Sequence, residues 1–222
     1  MPRRTPRARD LACLTSDLVD SQHEPRRRAV QLRLEQVLRA ANATFRKELA
    51  VPLAVTLGDE WQGLARSVEA AFRIEFHVRR ALRPLRMRSG IGLGPLSTPL
   101  RKRTALMDGP CFHRSRAALA AAKKRGDSAT VLESGHAAAD AYVNAVERLL
   151  HGVSDGWTEV QAESVLAYLD SGRETLAAKA RGVSQPSLHK SVASALGKEV
   201  LAVMEARNRF LVETFGPPGG AS

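Results

Sequence analysis

Aromatic residues are scarce in this sequence, at 5% of 222 residues. Any core must therefore be built from aliphatic side chains, and a hydrophobic fraction of 44% is ordinary for a globular chain. No apolar run approaches the roughly 20 residues that a membrane-spanning helix needs. The basic start, Met1-Pro2-Arg3-Arg4, is followed by no apolar signal region, so a cytoplasmic protein without a membrane partner is expected. Only two cysteines occur, Cys13 and Cys111, and they form no metal-binding pattern; both are expected reduced, in or near the core. No internal repeat is present. Acidic residues are in deficit: 34 Lys and Arg stand against 23 Asp and Glu, a formal net charge of +11. That excess suggests a polyanionic partner or substrate. It is not spread evenly. Residues 158–222 hold seven basic and seven acidic side chains, so the whole surplus lies in residues 1–157.

Hydrophobic periodicity organises the chain. Residues 1–10 read as a disordered basic arm and 216–222 as a disordered Gly/Pro tail. Leu11 to Leu14 reads as a strand ending at Ser16-Asp17-Leu18-Val19-Asp20. Pro25 suits a first helical turn, and Val30, Leu34, Leu38, Ala41, Phe45 and Leu49 recur at helical spacing. Leu53–Leu57 and Trp61–Ala65 read as a hairpin closed at Gly58-Asp59-Glu60. Ser67 is placed to cap a helix running to Pro84. Met87–Leu96 reads as a strand carrying Gly90, Gly92 and Gly94, a pattern that marks close approach of another backbone or a ligand. An Ala-rich helix over 111–123, a strand over 130–133 and a helix over 137–151 follow. The order βαββαβ predicts an α+β, ferredoxin-like or palm sheet with helices on one face over residues 11–153.

Residues 157–215 read as a separate all-α part. A helix opening at Trp157-Thr158 precedes "ETLAAKARGVSQPSLHKSVASAL" at 174–196. Ala178 lies four residues before Gly182, which supplies a turn conformation that other side chains resist. Ser184 is an N-cap, Pro186 falls in a first turn, and Val183 and Leu188 reach inward. This is the pattern of a helix-turn-helix, with Gln185, Ser187, His189 and Lys190 as candidate DNA contacts. The alternative is a helical hairpin used only for protein contact, which the neutral charge of this part favours. Residues 197–215 read as a further helix suited to packing or dimer formation.

Asp17 follows the first strand and Asp59 caps the hairpin. In a palm sheet these strands are neighbours, and two such carboxylates suit Mg²⁺ with substrate phosphates. The ordered segments "SDLVDS" at 16–21, "LGDEWQGL" at 57–64, "RSGIGLGPLST" at 88–98 and "MDGPCFHRSRAAL" at 107–119 resemble the core of class III nucleotidyl cyclases. They resemble more closely the SatD family, whose members add a helix-turn-helix behind this domain. The resemblance implies metal binding at Asp17 and Asp59, and a nucleotide site that adds Leu18, Gly58, Glu60, His113 and Arg116. It also implies a homodimer. It does not carry cyclase activity over whole. Val55 stands where cyclases often have a base-selecting Lys, His113 where they have a transition-state Asn, and Ala117, one residue after Arg116, where they have an Arg. Three functions compete: a DNA-binding regulator with a nucleotide- or metal-binding sensor domain, a Mg²⁺-dependent phosphoryl-transfer enzyme, and a non-catalytic scaffold.

Overall fold

Five strands and eight α-helices follow one another in a computed structural model that describes residues 10–19, 27–125 and 128–216. Asp20, Arg26, residues 1–9 of the basic arm and residues 217–222 of the tail lie outside the described residues. The chain divides into two compact units, Met1–Asn144 with Leu211–Ser222, and Ala145–Phe210.

In the first unit, β1 (Leu11–Leu18) is followed by α1 (Arg27–Thr44), β2 (Leu49–Leu57), β3 (Glu60–Ala65), α2 (Val68–Leu82), β4 (Met87–Gly94), α3 (Pro110–Lys124), β5 (Ala129–Glu133) and the start of α4 (Ala137–Ser154). The sheet order is β2-β3-β1-β4-β5. The first four strands are antiparallel neighbours, and β5 runs parallel to β4. This is a mixed α+β fold on a five-stranded sheet.

The first strand runs four residues further than its apolar stretch. Thr15, Ser16 and Asp17 remain in the ladder because each finds a polar partner on a neighbouring element. Alternation assigns the two faces. Leu14, Ser16 and Leu18 of β1 share a face with Ile91, Ser89 and Met87, their register partners in β4, and α1 and α2 cover it. Beneath α2, Glu75 accepts hydrogen bonds from Arg79, Ser89 and Thr130, and Ser16 donates to Ser89 at 2.9 Å.

Cys13, Thr15 and Asp17 face the other way, with Gly92, Gly90 and Arg88 opposite them. Here the expectation of helices on one face is corrected, since α3 packs on the face opposite α1 and α2. The reason lies in β4. A parallel β4–β5 pair requires a crossover, and the three glycines leave that crossover helix room to lie directly on the strand. A Cβ at Gly90 would stand 2.2 Å from the carbonyl oxygen of Ser115, and one at Gly92 2.2 Å from the amide nitrogen of Ser115. The close approach signalled by the glycines is that of a helix backbone.

On each edge strand one residue is paired by an asparagine side chain. The Asn42 side chain accepts from the Leu53 amide at 2.7 Å and donates to the Leu53 carbonyl at 2.8 Å. Asn144 does the same for Leu132 of β5, at 2.7 and 3.0 Å.

Cys13 and Cys111 are free and buried in one apolar cluster with Leu11, Val51, Leu64, Met107 and Phe112. Desolvation raises Cys13 from 9.0 to about 11 and Cys111 from 9.0 to about 12. The folded state therefore keeps both thiols protonated where the unfolded chain ionises them. Their contribution to stability is complete below about pH 9 and is lost as pH rises through about 11 and 12. Denaturant midpoints are expected to fall above pH 9. Alkylation at pH 8.5 should be slow for the native protein and fast for the unfolded one; equal rates would contradict the burial.

In the second unit, α5 (Glu159–Ser171), α6 (Glu174–Arg181), α7 (Gln185–Ser194) and the first part of α8 (Gly197–Phe215) follow the end of α4. Thr158 and Gln161 form a reciprocal capping box on α5. Gly182, at φ 67°, closes α6, and Ser184 caps α7 by accepting from the Ser187 amide. Ala177, Ala178, Leu188 and Val192 make a small core between α6 and α7. Trp157 donates to the Ala195 carbonyl at 2.8 Å, and a buried Arg207 pairs with Glu147. Among the described residues, no helix is long and apolar enough to cross a membrane.

Candidate functional site

Asp17 and Asp59 stand at the same end of neighbouring strands, because Ser16 pairs with Trp61 two residues beyond Asp59. Their surroundings differ. Asp17 points to the α3 face, where Lys123 in the last turn of α3 holds Oδ2 at 2.6 Å. Its Oδ1 is buried and has no hydrogen-bond partner among the described residues. Leu18, one residue on, faces the α1 side. There it lines a small cavity with Arg27, Val30, Gln31 and Leu34 of α1 and with Gly58 and Asp59 of the hairpin turn. Gly58 has φ 61°, a left-handed conformation that the tight turn needs and glycine adopts without cost to a side chain. A Cβ there would lie 3.9 Å from the Arg27 guanidinium, so arginine, aspartate and exposed turn backbone share one cavity. Glu60 is half-buried, and its carbonyl accepts from the Thr56 hydroxyl at 3.2 Å.

The structure thus groups Leu18, Gly58 and Asp59 around the cavity, with Asp17 behind them in the same strand end. It does not bring His113 and Arg116 to that place within one chain. Both are exposed on the N-terminal half of α3, beside the start of β1. His113 Nε2 lies 3.1 Å from an oxygen of Asp108. Arg27 and Lys123 were not singled out by the sequence. Arg27 stands in a run of three arginines at 26–28, and Lys123 lies in an ordinary basic helix end. The one available signal for Lys123 is its spacing: it stands eight residues, just over two turns, beyond Ser115, the α3 residue that reaches Thr15 of β1.

On α7, Gln185, Ser187, His189 and Lys190 are all exposed, while Leu188 and Val192 are buried. His189 is engaged: its Nδ1 lies 3.1 Å from both Glu174 carboxylate oxygens, and Lys198 Nζ lies 2.7 Å from Oε1. Lys198 first, then His189, hold the Glu174 carboxyl below its ordinary value, and Glu174 in turn raises the Lys198 ammonium.

Solved structures to which the chain shows some similarity include the dimeric guanylyl cyclase domain of the RhoGC fusion protein from the aquatic fungus Blastocladiella emersonii. It is 12% identical with a TM-score of 0.43, over 56% of this chain and 78% of that one. The adenylyl cyclase CyaB from P. aeruginosa is 17% identical with a TM-score of 0.41, over 55% and 76%. A regulator of polyketide synthase expression from Bifidobacterium adolescentis is 14% identical with a TM-score of 0.27, over 90% and 81%. No curated protein matches the sequence. The family is shown directly: the SatD family model matches residues 11–199, and the chain belongs to the SatD family.

Proposed function

We propose that this protein is a DNA-binding regulator whose sheet domain, residues 11–153, binds a nucleotide and whose residues 157–215 form a helix-turn-helix domain. The observation that carries the DNA reading is the α6–Gly182–α7 corner. It buries Leu188 and Val192 and leaves Gln185, Ser187, His189 and Lys190 on the outer side of α7. Such a helix enters the major groove with its first turns. Glutamine there suits adenine, and lysine suits guanine or phosphate. His189, tied to Glu174, orients the helix surface rather than reaching freely. A homodimer would place two such helices on neighbouring half-sites, and nucleotide binding would bias their spacing. The basic surplus of the first 157 residues would supply phosphate attraction that the last 65 lack.

The decisive experiment is a mobility shift on genomic fragments across a salt series. Wild type is expected to retain selected fragments, with affinity falling as salt rises. The double substitution Gln185→Ala with Lys190→Ala is expected to weaken binding by about tenfold or more, from roughly 1–3 kcal/mol per good base contact. Absence of sequence-selective, salt-sensitive retention by wild type ends this reading.

A second reading, a phosphoryl-transfer enzyme, is favoured by the unused buried oxygen of Asp17 and the Asp59 cavity. An orphaned carboxylate oxygen is what a cation would satisfy, so Asp17 fits Mg²⁺. Asp17 would hold the ion from the strand end it shares with Asp59, and the Asp59 cavity on the α1 side, with Arg27 and the Gly58 turn, would take phosphate. Bound there, the ion would neutralise charge on phosphate oxygens. Turnover of ATP or GTP with Mg²⁺ or Mn²⁺, abolished by Asp59→Ala, would place this reading first.

A further inference from the structure

Asp17 is buried, with its side chain 12% exposed, yet the side chain that holds it belongs to a half-exposed lysine. Lys123 Nζ takes Oδ2 at 2.6 Å, while Oδ1 has no hydrogen-bond partner among the described residues. A lysine ammonium therefore holds one oxygen of this carboxylate while the other is unused. A divalent ion at Oδ1 would sit a few ångströms from the ammonium at Oδ2. Like charges at that distance repel strongly where little water screens them. The ammonium must give way. Lys123 stands in the last turn of α3, and its long stem can carry the ammonium into water with little loss of packing.

We infer that Lys123 is the displaceable internal cation of Asp17, and that a divalent ion takes this carboxylate only as Lys123 leaves it. The lysine neutralises a buried charge in the metal-free protein and thereby sets how tightly a metal binds. Loading the metal releases the C-terminal turn of α3 from β1. The inference rests on the reading of Asp17 as a metal carboxylate.

The test is a titration of the full chain with Mn²⁺ alone, following free Mn²⁺ by electron paramagnetic resonance. Lys123→Gln is expected to bind Mn²⁺ about five- to tenfold more tightly than wild type, a modest gain because the ammonium is partly solvated. Lys123→Arg keeps the charge and is expected to stay near wild type. Asp17→Asn is expected to remove the binding. In unmodified protein, acetylation of Lys123 read by mass spectrometry should rise severalfold with Mn²⁺, against an unchanged Lys47. If Mn²⁺ binds wild type but Lys123→Gln binds no better, or if Lys123 labelling does not rise, the inference is overturned and the metal reading stands. If neither wild type nor Lys123→Gln binds Mn²⁺, or if binding survives Asp17→Asn, the metal reading itself fails and the inference with it.

Discussion

Replacing Gly92 with alanine is expected to lower the melting temperature by about 6–12 °C or to prevent folding altogether. The new Cβ would lie 2.2 Å from the Ser115 nitrogen, 2.3 Å from the Cys111 oxygen and 2.8 Å from the Arg114 carbonyl carbon. All three are backbone atoms of α3, so no side-chain rotation relieves the overlap. The helix must retreat by about 1 Å to reach ordinary contact. Retreat loosens the Cys13–Cys111–Phe112 cluster and stretches the 2.9 Å Thr15–Ser115 hydrogen bond. Overpacking of side chains costs roughly 1–3 kcal/mol. A displaced helix backbone belongs at the upper end, and each kcal/mol shifts the melting temperature of a chain this size by roughly 2–4 °C. Gly152 is the control: a Cβ there meets nothing within 4 Å, and it lies inside α4 without a positive φ. Gly152→Ala is expected to be neutral or stabilising by about 0.4–1 kcal/mol. Thermal melting of the two variants side by side decides the matter. A Gly92→Ala protein that melts within 2 °C of wild type would show that α3 is not seated on the strand.

Glu75→Ala is the second large effect, expected to cost about 3–5 kcal/mol in denaturant unfolding. Glu75 is 2% exposed and accepts from Arg79 Nε at 2.9 Å, Arg79 Nη2 at 2.5 Å, and the Ser89 and Thr130 hydroxyls at 2.9 Å each. Arg79 also donates to the Met87 carbonyl at 2.9 Å and to Ser128. The network ties α2 to β4 and β5. Removing only the carboxylate leaves a guanidinium in the interior without its counter-charge, which is the costly way to break such a pair. Removing both charges with apolar residues of similar volume is far milder. Glu75→Leu with Arg79→Met should therefore recover much of the loss. If the single and double variants were equally unstable, the pair would be acting through packing rather than charge.

The order of elements was legible because each carries its own period or punctuation. Ser67 caps α2, Gly58-Asp59 closes the hairpin, and the Gly182-Val183-Ser184 turn separates α6 from α7. The alternating glycines of β4 announced a close approach. What they did not announce was which backbone arrives, and that choice places α3 on the second face. Polar residues hid the rest. Thr15, Ser16 and Asp17 read as a strand's end, yet they lie in the ladder because Ser115, Ser89 and Lys123 meet them from elements 73 to 106 positions away. Glu75 and Arg79 stand four apart, as a solvated helical pair would, and only the sheet beneath makes them core. The Asp17 and Asp59 pair was legible as residue type at strand ends. The lysine on Asp17 was not, since nothing local distinguishes Lys123 from Lys124.

The two asparagines at the sheet margins have a consequence for assembly. Asn42 and Asn144 each present an amide that imitates the next strand, using up the donor and acceptor of Leu53 on one side and of Leu132 on the other. A second copy, or an extended peptide, that sought to lengthen the sheet at either point would have to displace a side chain already making both bonds. This domain is thus sealed against growth by strand addition at these positions, and any partnership it enters there must be struck through its helices and loops.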